Sequence, residues 1–309
     1  MTSVILCPGQ GAQHVGMGRA WAESSNAARR VFERADEVLG TPLTTVCFEG
    51  PEETINRTDV SQPAIFAASI ASLEGWLESE GVSQGDLGIV GAGGLSLGEY
   101  TALHIAGSLS FDDALRLVSI RGAAMQEAAL ATDSGMLALV GADEDRAVDL
   151  CDRARGGGVL VTANFNAPGQ VVLSGDAGAI ERADALAGEE GLRSVRLPVA
   201  GAFHSPIMAP AAEKLREALE AAPIEPPAFP VMSNVTARPH EPDADAIRAR
   251  LVDQLTSPVR WAGCCRHLVG EFPGASYHEL APGKSLAGMM KRIDRTVRVE
   301  THEAPASVS

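Results

Sequence analysis

The segment Gly94-Leu-Ser96-Leu-Gly98 places a serine between two glycines, each two residues away. A G-x-S-x-G segment sets its serine on a tight turn between a strand and a helix, where the hydroxyl projects into a cleft. A Cβ at either glycine would clash in such a crowded turn. The apolar run 87–90 predicts the strand and residues 97–106 predict the helix. A glycine-rich loop that merely contains a serine is the alternative, but the flanking elements favour a nucleophile.

A nucleophilic serine requires a base, and the sequence contains seven histidines. His104 lies on the same predicted helix as Ser96 and is expected to point elsewhere. His204 precedes a predicted helix start at Ser205-Pro206. The dipole of a helix N-terminus favours a neutral imidazole, which suits a base. A loop histidine that only packs is the alternative; the serine turn upstream favours a Ser96–His204 pair.

Arg121 lies on the apolar face of a predicted helix that opens at Ser110, together with Leu117 and Met125. A guanidinium on such a face cannot remain unpaired. It could form a structural salt bridge with a buried Asp or Glu, which is a common outcome. It could instead form a bidentate clamp for a substrate carboxylate.

The loop Gly9-Gln10-Gly11 follows a predicted strand, as a dinucleotide-binding loop would. The match fails, because the third glycine of G-x-G-x-x-G would fall on His14 and no second strand ending in an acid follows. The loop could instead approach the serine, with the backbone amide of Gln10 as an oxyanion donor. The amide of Leu97, at the N-terminus of the serine's helix, would be a second donor. A purely structural turn is the alternative.

The composition limits the class of protein. The chain has 309 residues, 45% hydrophobic, which is enough for one large core and a smaller unit. Its formal net charge of −15 argues against nucleic acid and anionic membranes as partners. The five cysteines lack C-x-x-C spacing, so neither zinc nor a disulfide framework is expected. No signal peptide or membrane span is recognised, and we expect a soluble, cytoplasmic protein without a metal.

Strands alternate with helices, which predicts the α/β class with a mainly parallel sheet. The pattern changes near residue 134, where the predicted elements are strand 136–140, helix 143–154, strands 159–163 and 170–173 around a turn at 164–169, helix 177–187 and strand 193–197. This β-α-β-β-α-β order is that of a ferredoxin-like unit. We therefore expect a discontinuous large subdomain over 1–129 and 199–309, with a small ferredoxin-like subdomain inserted at 130–198.

Eight stretches together resemble the malonyl-CoA:acyl carrier protein transacylase family, the acyltransferases of fatty acid and polyketide synthesis. They are Pro8-Gly-Gln-Gly-Ala-Gln13, Ser61-Gln-Pro-Ala64, Gly94-Leu-Ser-Leu-Gly-Glu-Tyr-Thr-Ala-Leu103, Arg121-Gly with Met125-Gln126, Asn164-Phe-Asn-Ala-Pro-Gly-Gln-Val-Val172, Ala202-Phe-His-Ser205, Gln254-Leu-Thr-Ser-Pro-Val259 and Pro282-Gly-Lys284. No single stretch is decisive, but the set occurs in family order, spans roughly the whole chain and is highly specific.

The resemblance implies an α/β-hydrolase-like large subdomain with the ferredoxin-like insert. It implies a Ser96–His204 dyad with oxyanion amides from Gln10 and Leu97. In the family a backbone carbonyl from the loop matching Gln254 orients the histidine, so a triad acid is not required.

The resemblance also implies how the acyl group is held. Arg121 grips the malonyl carboxylate, and further substrate-binding residues are expected at Gln62, Asn166, Phe203 and Gln254. The Ala-Phe-His sequence resembles the malonyl-type version of this loop, so Phe203 limits the space beside Cα of the acyl chain.

Two positions depart from the family pattern. The residue before the serine is often histidine and is Leu95 here, and the first strand often ends in phenylalanine but ends in Cys7 here. Neither change removes the nucleophile, the base or the clamp, so we expect an effect on rate only.

The predicted reaction is a two-step transfer of malonyl from malonyl-CoA to the phosphopantetheine thiol of an acyl carrier protein, through malonyl-Ser96. It requires no metal or redox cofactor, and we expect a monomer. One alternative is a serine hydrolase or thioesterase, which would use the same dyad but has no need of a cation on an apolar face such as Arg121. A non-catalytic carrier-binding scaffold is another alternative, which the intact Ser96 and His204 disfavour.

Acyl carrier proteins are typically acidic, as this chain is, so docking requires a local basic patch. Lys284, Lys291, Arg292 and Arg295 form a basic cluster near the C-terminus. A solvated helix face is the alternative interpretation of this cluster.

Overall fold

A computed structural model describes residues 2–306, so the ends of the predicted large subdomain at residues 1 and 307–309 lie outside the described range. The α-helices within that range are α1 (Arg19–Ser24), α2 (Asn26–Leu39), α3 (Leu43–Glu49), α4 (Glu52–Ile55), α5 (Thr58–Glu80), α6 (Gly98–Ile105), α7 (Phe111–Leu130), α8 (Glu144–Ala154), α9 (Ala177–Glu189), α10 (Ala209–Ala221), α11 (Ala244–Asp253), α12 (Trp261–Glu271) and α13 (Ser285–Ile293). None of them is long and apolar enough to cross a membrane.

The strands within the same range form two four-stranded sheets and a short two-stranded ribbon. They are β1 (Ser3–Cys7), β2 (Ile89–Gly94), β3 (Ser134–Val140), β4 (Leu160–Ala167), β5 (Gln170–Asp176), β6 (Arg193–Arg196), β7 (Met232–Ser233), β8 (Arg238–Pro239), β9 (Ser276–Leu280) and β10 (Val299–His302).

The first sheet has the strand order β10-β9-β1-β2, and all its pairings are parallel. Strand β1 lies inside the sheet, and its successive side chains point to opposite faces. Ile5 and Cys7 join the largest apolar core, whereas Val4 and Leu6 join a second cluster around Trp261. Helices thus cover both faces of the sheet, which is the arrangement of parallel sheets in α/β proteins. The predicted α/β class and mainly parallel sheet are confirmed.

Helices α5 and α7 pack against each other in the largest core. Helix α5 is buried on nearly all sides and begins four residues before the predicted start at Gln62. Helix α7 is capped by Ser110, whose side chain accepts a hydrogen bond from the amide of Asp113, as the sequence predicts. This helix presents Arg121 inward, with no exposed surface.

Strand β2 differs from the predicted strand 87–90, because it begins at Ile89 and runs on through the glycines to Gly94. The cause is the parallel pairing of residues 91–94 with residues 4–7 of β1. Glycines are needed there because helix α12 and the residue after it approach the strand closely. A Cβ on Gly91 would lie 2.7 Å from the Phe272 ring, and one on Gly93 would lie 3.3 Å from Leu268 Cδ1. Glycines that the sequence pattern assigns to a turn are therefore needed inside a strand.

The second sheet is antiparallel, with the order β4-β5-β3-β6. Helices α8 and α9 pack on it around an apolar core of its own, which includes Leu137, Leu150 and Leu173. The predicted turn at 164–169 is mostly strand, since β4 continues to Ala167 and only two residues separate β4 from β5. Strand β4 continues through Asn164 and Phe165, which are both buried, and a bridge between Asn164 and Val259 extends its pairing.

Candidate active site

Ser96 stands on the turn between β2 and α6, with φ 53°. That left-handed conformation is unusual for a residue with a side chain. Both flanking glycines are sterically required, as predicted. A Cβ on Gly94 would lie 1.9 Å from the backbone of Gly98, and a Cβ on Gly98 would lie 2.2 Å from the carbonyl oxygen of Cys7. The turn is therefore pressed against the end of β1, which orients the serine hydroxyl toward the small cavity described below.

A remote asparagine holds this turn. The Ser96 amide donates to Asn234 Oδ1 over 2.6 Å, and Asn234 Nδ2 donates to the carbonyl of Gly94 over 2.8 Å. Both groups are buried, so the two bonds fix the backbone on either side of the serine. Sequence reasoning missed Asn234, which lies 138 residues from Ser96 in a segment without a pattern of its own.

Ser96 Oγ lies 2.8 Å from His204 Nε2, and His204 Nδ1 lies 2.8 Å from the backbone carbonyl oxygen of Gln254. Because a carbonyl oxygen only accepts, Nδ1 carries the proton and the lone pair of Nε2 faces the serine hydroxyl. Burial, reinforced by the charge of Arg121, lowers the pKa of His204 to about 4. The imidazole is therefore neutral at pH 7, which is the protonation state that a general base requires.

Arg121 is fully buried beside the serine. Its Nη2 donates to Ser96 Oγ over 2.9 Å and to Gln254 Oε1 over 2.8 Å, and its Nη1 donates to Gln62 Oε1 over 2.7 Å. Its Nε has no partner. In the part of the chain that the structure describes, all hydrogen bonds of this guanidinium go to neutral oxygens, so the alternative of a salt bridge to a buried acid is not observed.

Glu99 lies three residues after the nucleophile and is also fully buried. One carboxylate oxygen is 2.7 Å from His240 Nε2, and the other accepts from Gln254 Nε2 over 2.7 Å. Gln254 Nε2 also donates to the carbonyl of Ser96 over 3.0 Å. These hydrogen bonds therefore connect the carboxylate of Glu99 to Gln254, whose backbone carbonyl orients His204. Glu99 was detectable from sequence, because an acid in the first turn of an otherwise apolar helix is expensive to bury without a function or a partner.

A cavity of about 140 Å³ opens above the serine. The residues around it are Gln10, Leu95, Ser96, Met125, Met136, Asn164, Asn166, Val172, Leu197, Val199, Phe203, His204 and Met289. Asn166 and Phe203 thus lie at the cavity, as the resemblance predicts. Arg121, Gln62 and Gln254 are not among these residues; all three are fully buried, and the two glutamine oxygens accept hydrogen bonds from the guanidinium.

The loop after β1 lies against the serine turn. A Cβ on Gly9 would lie only 2.2 Å from the carbonyl oxygen of Leu95, so this close approach requires glycine. Within residues 2–306 the backbone amides of Gln10 and Leu97 donate to no backbone acceptor. Both amides are therefore available to donate to an oxygen that gains negative charge.

Comparison with known proteins gives the family. The model of the acyl transferase domain matches residues 4–298. The malonyl CoA-acyl carrier protein transacylase of Bacillus subtilis is 42% identical over 306 residues, which cover 98% of this chain and 94% of that protein. The corresponding protein of Escherichia coli is 38% identical and is covered to 97%, with 99% of this chain aligned.

Solved structures agree in fold. The malonyl CoA-acyl carrier protein transacylase of Coxiella burnetii superposes with a TM-score of 0.93 at 34% identity, covering 98% of this chain and 94% of that one. A malonyl-transacylase solved in complex with its type II polyketide acyl-carrier protein gives a TM-score of 0.93 at 36% identity, covering 99% and 97%. With the family model matching almost the whole length, the chain belongs to the acyl transferase domain family.

Proposed function

We propose that Ser96, His204 and Arg121 carry out the reaction of this enzyme. The chain is an acyl carrier protein S-malonyltransferase, which moves malonyl from malonyl-CoA to the phosphopantetheine thiol of acyl carrier protein. One observation carries the assignment of residues: Arg121 Nη2 lies 2.9 Å from Ser96 Oγ and bonds only neutral groups. A buried cation beside a nucleophile suits an acyl group that bears a carboxylate.

In the first half-reaction His204 Nε2 accepts the proton of Ser96 Oγ as the oxygen attacks the thioester carbonyl of malonyl-CoA. The new C–O bond places negative charge on the former carbonyl oxygen, which the amides of Gln10 and Leu97 stabilise. The C–S bond then breaks. His204 returns its proton to the departing sulfur, leaving CoA as the thiol and malonyl on Ser96.

In the second half-reaction the phosphopantetheine thiol gives its proton to His204 Nε2 and attacks malonyl-Ser96. The ester bond breaks, Ser96 regains a proton, and malonyl leaves on the carrier. The two substrates thus react in turn, which predicts ping-pong kinetics. The serine, the base and the backbone amides supply every proton transfer and charge in this scheme, so it uses no metal or redox cofactor.

Arg121 is the proposed clamp for the malonyl carboxylate. Gln62 and Gln254 fix two of its nitrogens, which holds the planar guanidinium beside the Ser96 hydroxyl. The carboxylate would take the place at Nη2 that the Ser96 hydroxyl occupies, while the unpaired Nε is a further donor. Gln62 and Gln254 are thus proposed as positioning residues, whereas Asn166 and Phe203 lie where the acyl chain enters.

The thioesterase alternative is not favoured, because an enzyme that passes acyl groups to water gains nothing from a buried arginine that donates to its nucleophile. Incubation with malonyl-CoA and intact-mass measurement tests the proposal directly. A stable malonyl adduct on Ser96 is expected. Rapid release of CoA without an adduct would instead indicate a hydrolase, and no release would indicate a scaffold.

The basic residues Lys284, Lys291, Arg292 and Arg295 are proposed as the docking site for the acidic carrier. All four are exposed, and α13, which carries two of them, also contributes Met289 to the cavity. We predict that Lys291→Glu raises the KM for carrier and leaves the KM for malonyl-CoA unchanged, because like charges slow the encounter. Lys214→Glu is the control, since Lys214 is an exposed lysine outside this cluster. Unchanged carrier kinetics after charge reversal at all four positions would contradict the proposal.

We also keep the predicted organisation of the chain as a proposal. It comprises a large α/β-hydrolase-like subdomain over 1–129 and 199–309 and a ferredoxin-like subdomain over 130–198. The strand order β4-β5-β3-β6 and the separate core of that sheet support the division. A monomeric state and a cytoplasmic location are proposed as well; the buried free cysteines are compatible with a reducing compartment. Light scattering tests the first and cell fractionation the second.

A further inference from the structure

Three possible metal ligands lie together at the edge of the parallel sheet, on the last two strands of the chain. His278 is on β9, and Glu300 and His302 are on β10. The parallel register places Glu300 opposite His278. Because residues two apart on a strand share a face, the three side chains project from the same side of the sheet. None of them belongs to the active site.

The distances between the ligand atoms approach those around a tetrahedral zinc ion. Zn–N bonds of about 2.0–2.1 Å place two imidazole nitrogens about 3.4 Å apart in a tetrahedral site. His278 Nδ1 lies 3.1 Å from His302 Nε2 and 3.7 Å from Glu300 Oε2. All three ligand atoms lie within 4.8 Å of one another. The side chain of Glu300 is 69% exposed, so it can close the remaining gap at little cost.

The surroundings hold both imidazoles in place. Trp76 stacks on His302 with ring centroids 3.9 Å apart and lies 4.8 Å from the ring of His278. The backbone of β10 is also fixed, because Trp21 Nε1 donates to the carbonyl of His302 over 2.8 Å. Both histidines are buried, with 7% of His278 and 6% of His302 exposed. In the hydrogen bond between His278 Nδ1 and His302 Nε2, one of the two nitrogens carries a proton. When that proton moves to the other nitrogen of its own ring, both lone pairs face the position of the ion. A pre-positioned pair of neutral imidazoles with a carboxylate is a donor set that zinc prefers.

We infer that His278, Glu300 and His302 form a zinc-binding site with three protein ligands and an open fourth position. The ion joins the edge strand β10 to β9, and edge strands are the part of a sheet that most needs such protection. The expectation of no zinc site was based on cysteine spacing, which does not bear on ligands drawn from two strands.

Calorimetric titration of tag-free, metal-stripped protein with Zn²⁺ tests the inference. One saturable site is expected, together with a rise in Tm on adding zinc. Loss of even an outer partner of a metal ligand weakens binding by roughly 10–100-fold, so His302→Ala and His278→Ala should each weaken binding by at least that much. His267→Ala is the control, because His267 contacts Arg238 and lies outside the cluster.

Glu300→Gln provides a variant that cannot fail through misfolding, because Glu300 is exposed at the surface. It removes the anionic ligand and keeps the shape, and it should also weaken zinc binding. Quenching of Trp76 fluorescence by Cu²⁺ in place of Zn²⁺ locates the ion, and Trp76→Phe should abolish most of that quenching. Absence of a one-to-one site, or equal zinc affinity in wild type, His302→Ala and Glu300→Gln, would overturn the inference and leave a simple hydrogen bond between two histidines.

Discussion

The two sheets of this molecule contribute differently to the active site. The parallel sheet delivers the reacting groups, since Ser96 follows β2, Gln10 follows β1, and the network of Glu99, Asn234 and Gln254 surrounds the serine. The antiparallel sheet delivers a wall, with Met136 on β3, Val172 on β5, and Asn164 and Asn166 on β4 at the cavity. The parallel sheet thus supplies the chemistry, and the antiparallel sheet supplies part of the shape of the cavity.

The two units also differ in how their polar groups are satisfied. Around the serine, hydrogen bonds join residues far apart in sequence, such as Gln254 Nε2 and the Ser96 carbonyl, 158 residues apart. On the wall, Asn166 Oδ1 is buried without a protein partner. A buried amide oxygen without a partner is costly unless a ligand supplies one. The long-range hydrogen bonds fix the backbone of the serine turn before a substrate arrives, whereas Arg121 Nε beside the serine and Asn166 Oδ1 on the wall both stay open to the acyl group.

The largest loss of transfer activity is expected when the nucleophile is removed. Ser96→Ala should reduce transfer by on the order of 10⁶-fold, as loss of a catalytic serine does in other enzymes, and should abolish the malonyl adduct in intact-mass spectra. His204→Ala should reduce transfer by at least about 10²–10⁴-fold, because general-base assistance alone has that magnitude. Unchanged circular dichroism serves as the folding control. Peptide mapping that located malonyl on another serine would contradict the assignment.

The next largest effect is expected at the clamp. Arg121→Ala leaves the malonyl carboxylate unpaired in a buried site, and truncating one side of such a pair costs roughly 2–5 kcal/mol. Malonyl transfer should therefore fall much more than acetyl transfer, measured as kcat/KM for both thioesters. Arg121→Met is the companion variant, since it keeps the stem and volume in the core. An equal reduction for malonyl and acetyl would show that Arg121 is only structural.

The base can be tested through pH. Because the pKa of His204 is lowered to about 4, the imidazole stays unprotonated, and kcat/KM should fall only as the pH drops through that region. An unperturbed histidine would give a fall near 6.5. The charge of Arg121 contributes to the lowering, so Arg121→Met should move the acid limb to higher pH. The profile is measured with malonyl-CoA from pH 4 to 8, with far-ultraviolet circular dichroism at each point; a wild-type limb near 6.5 would contradict the assignment.

The smallest effect is expected where the cavity sets shape alone. Phe203→Ser should relax discrimination against methylmalonyl by about 1–3 kcal/mol, the value of one methyl group in an apolar pocket. Malonyl transfer itself should change little, because the apolar ring of Phe203 can neither accept nor donate the proton that moves in the reaction. The ratio of kcat/KM for the two thioesters measures this. If malonyl transfer fell as much as in Arg121→Ala, Phe203 would be needed for the reaction itself and not only for the shape of the cavity.

Local pattern was sufficient for the α/β class, for the glycines of the serine turn and for the buried position of Arg121. Short-range sterics require Gly94 and Gly98 around Ser96, and helix periodicity places Arg121 on the buried face of α7. The strand bounds at Ile89–Gly94 were not predictable. The glycines there are required by close contacts with Phe272 and Leu268, which lie far away in the sequence. Glycine on its own disfavours a strand, but here tertiary contacts override that preference.

The same limit applies to the site. The resemblance assigns Gln62 and Gln254 to the substrate, and the structure adds that both accept hydrogen bonds from Arg121, which a sequence pattern cannot show. Asn234 and His240 were missed because each acts through one long-range hydrogen bond and neither belongs to a periodic or motif-bearing segment. Groups that support a site from another part of the chain become visible only when the fold brings them together.

The left-handed backbone of Ser96 has a counterpart in His204, whose φ is 56°. Residues with side chains avoid this region, at a cost of roughly 1–3 kcal/mol each. The nucleophile and the base are therefore both held in conformations that the free chain disfavours, and the surrounding core stabilises them at the expense of overall stability. Stability and catalysis thus compete at these two positions. A more thermostable form of this enzyme should be sought in the helices and loops of 130–198, where the backbone carries no reacting group.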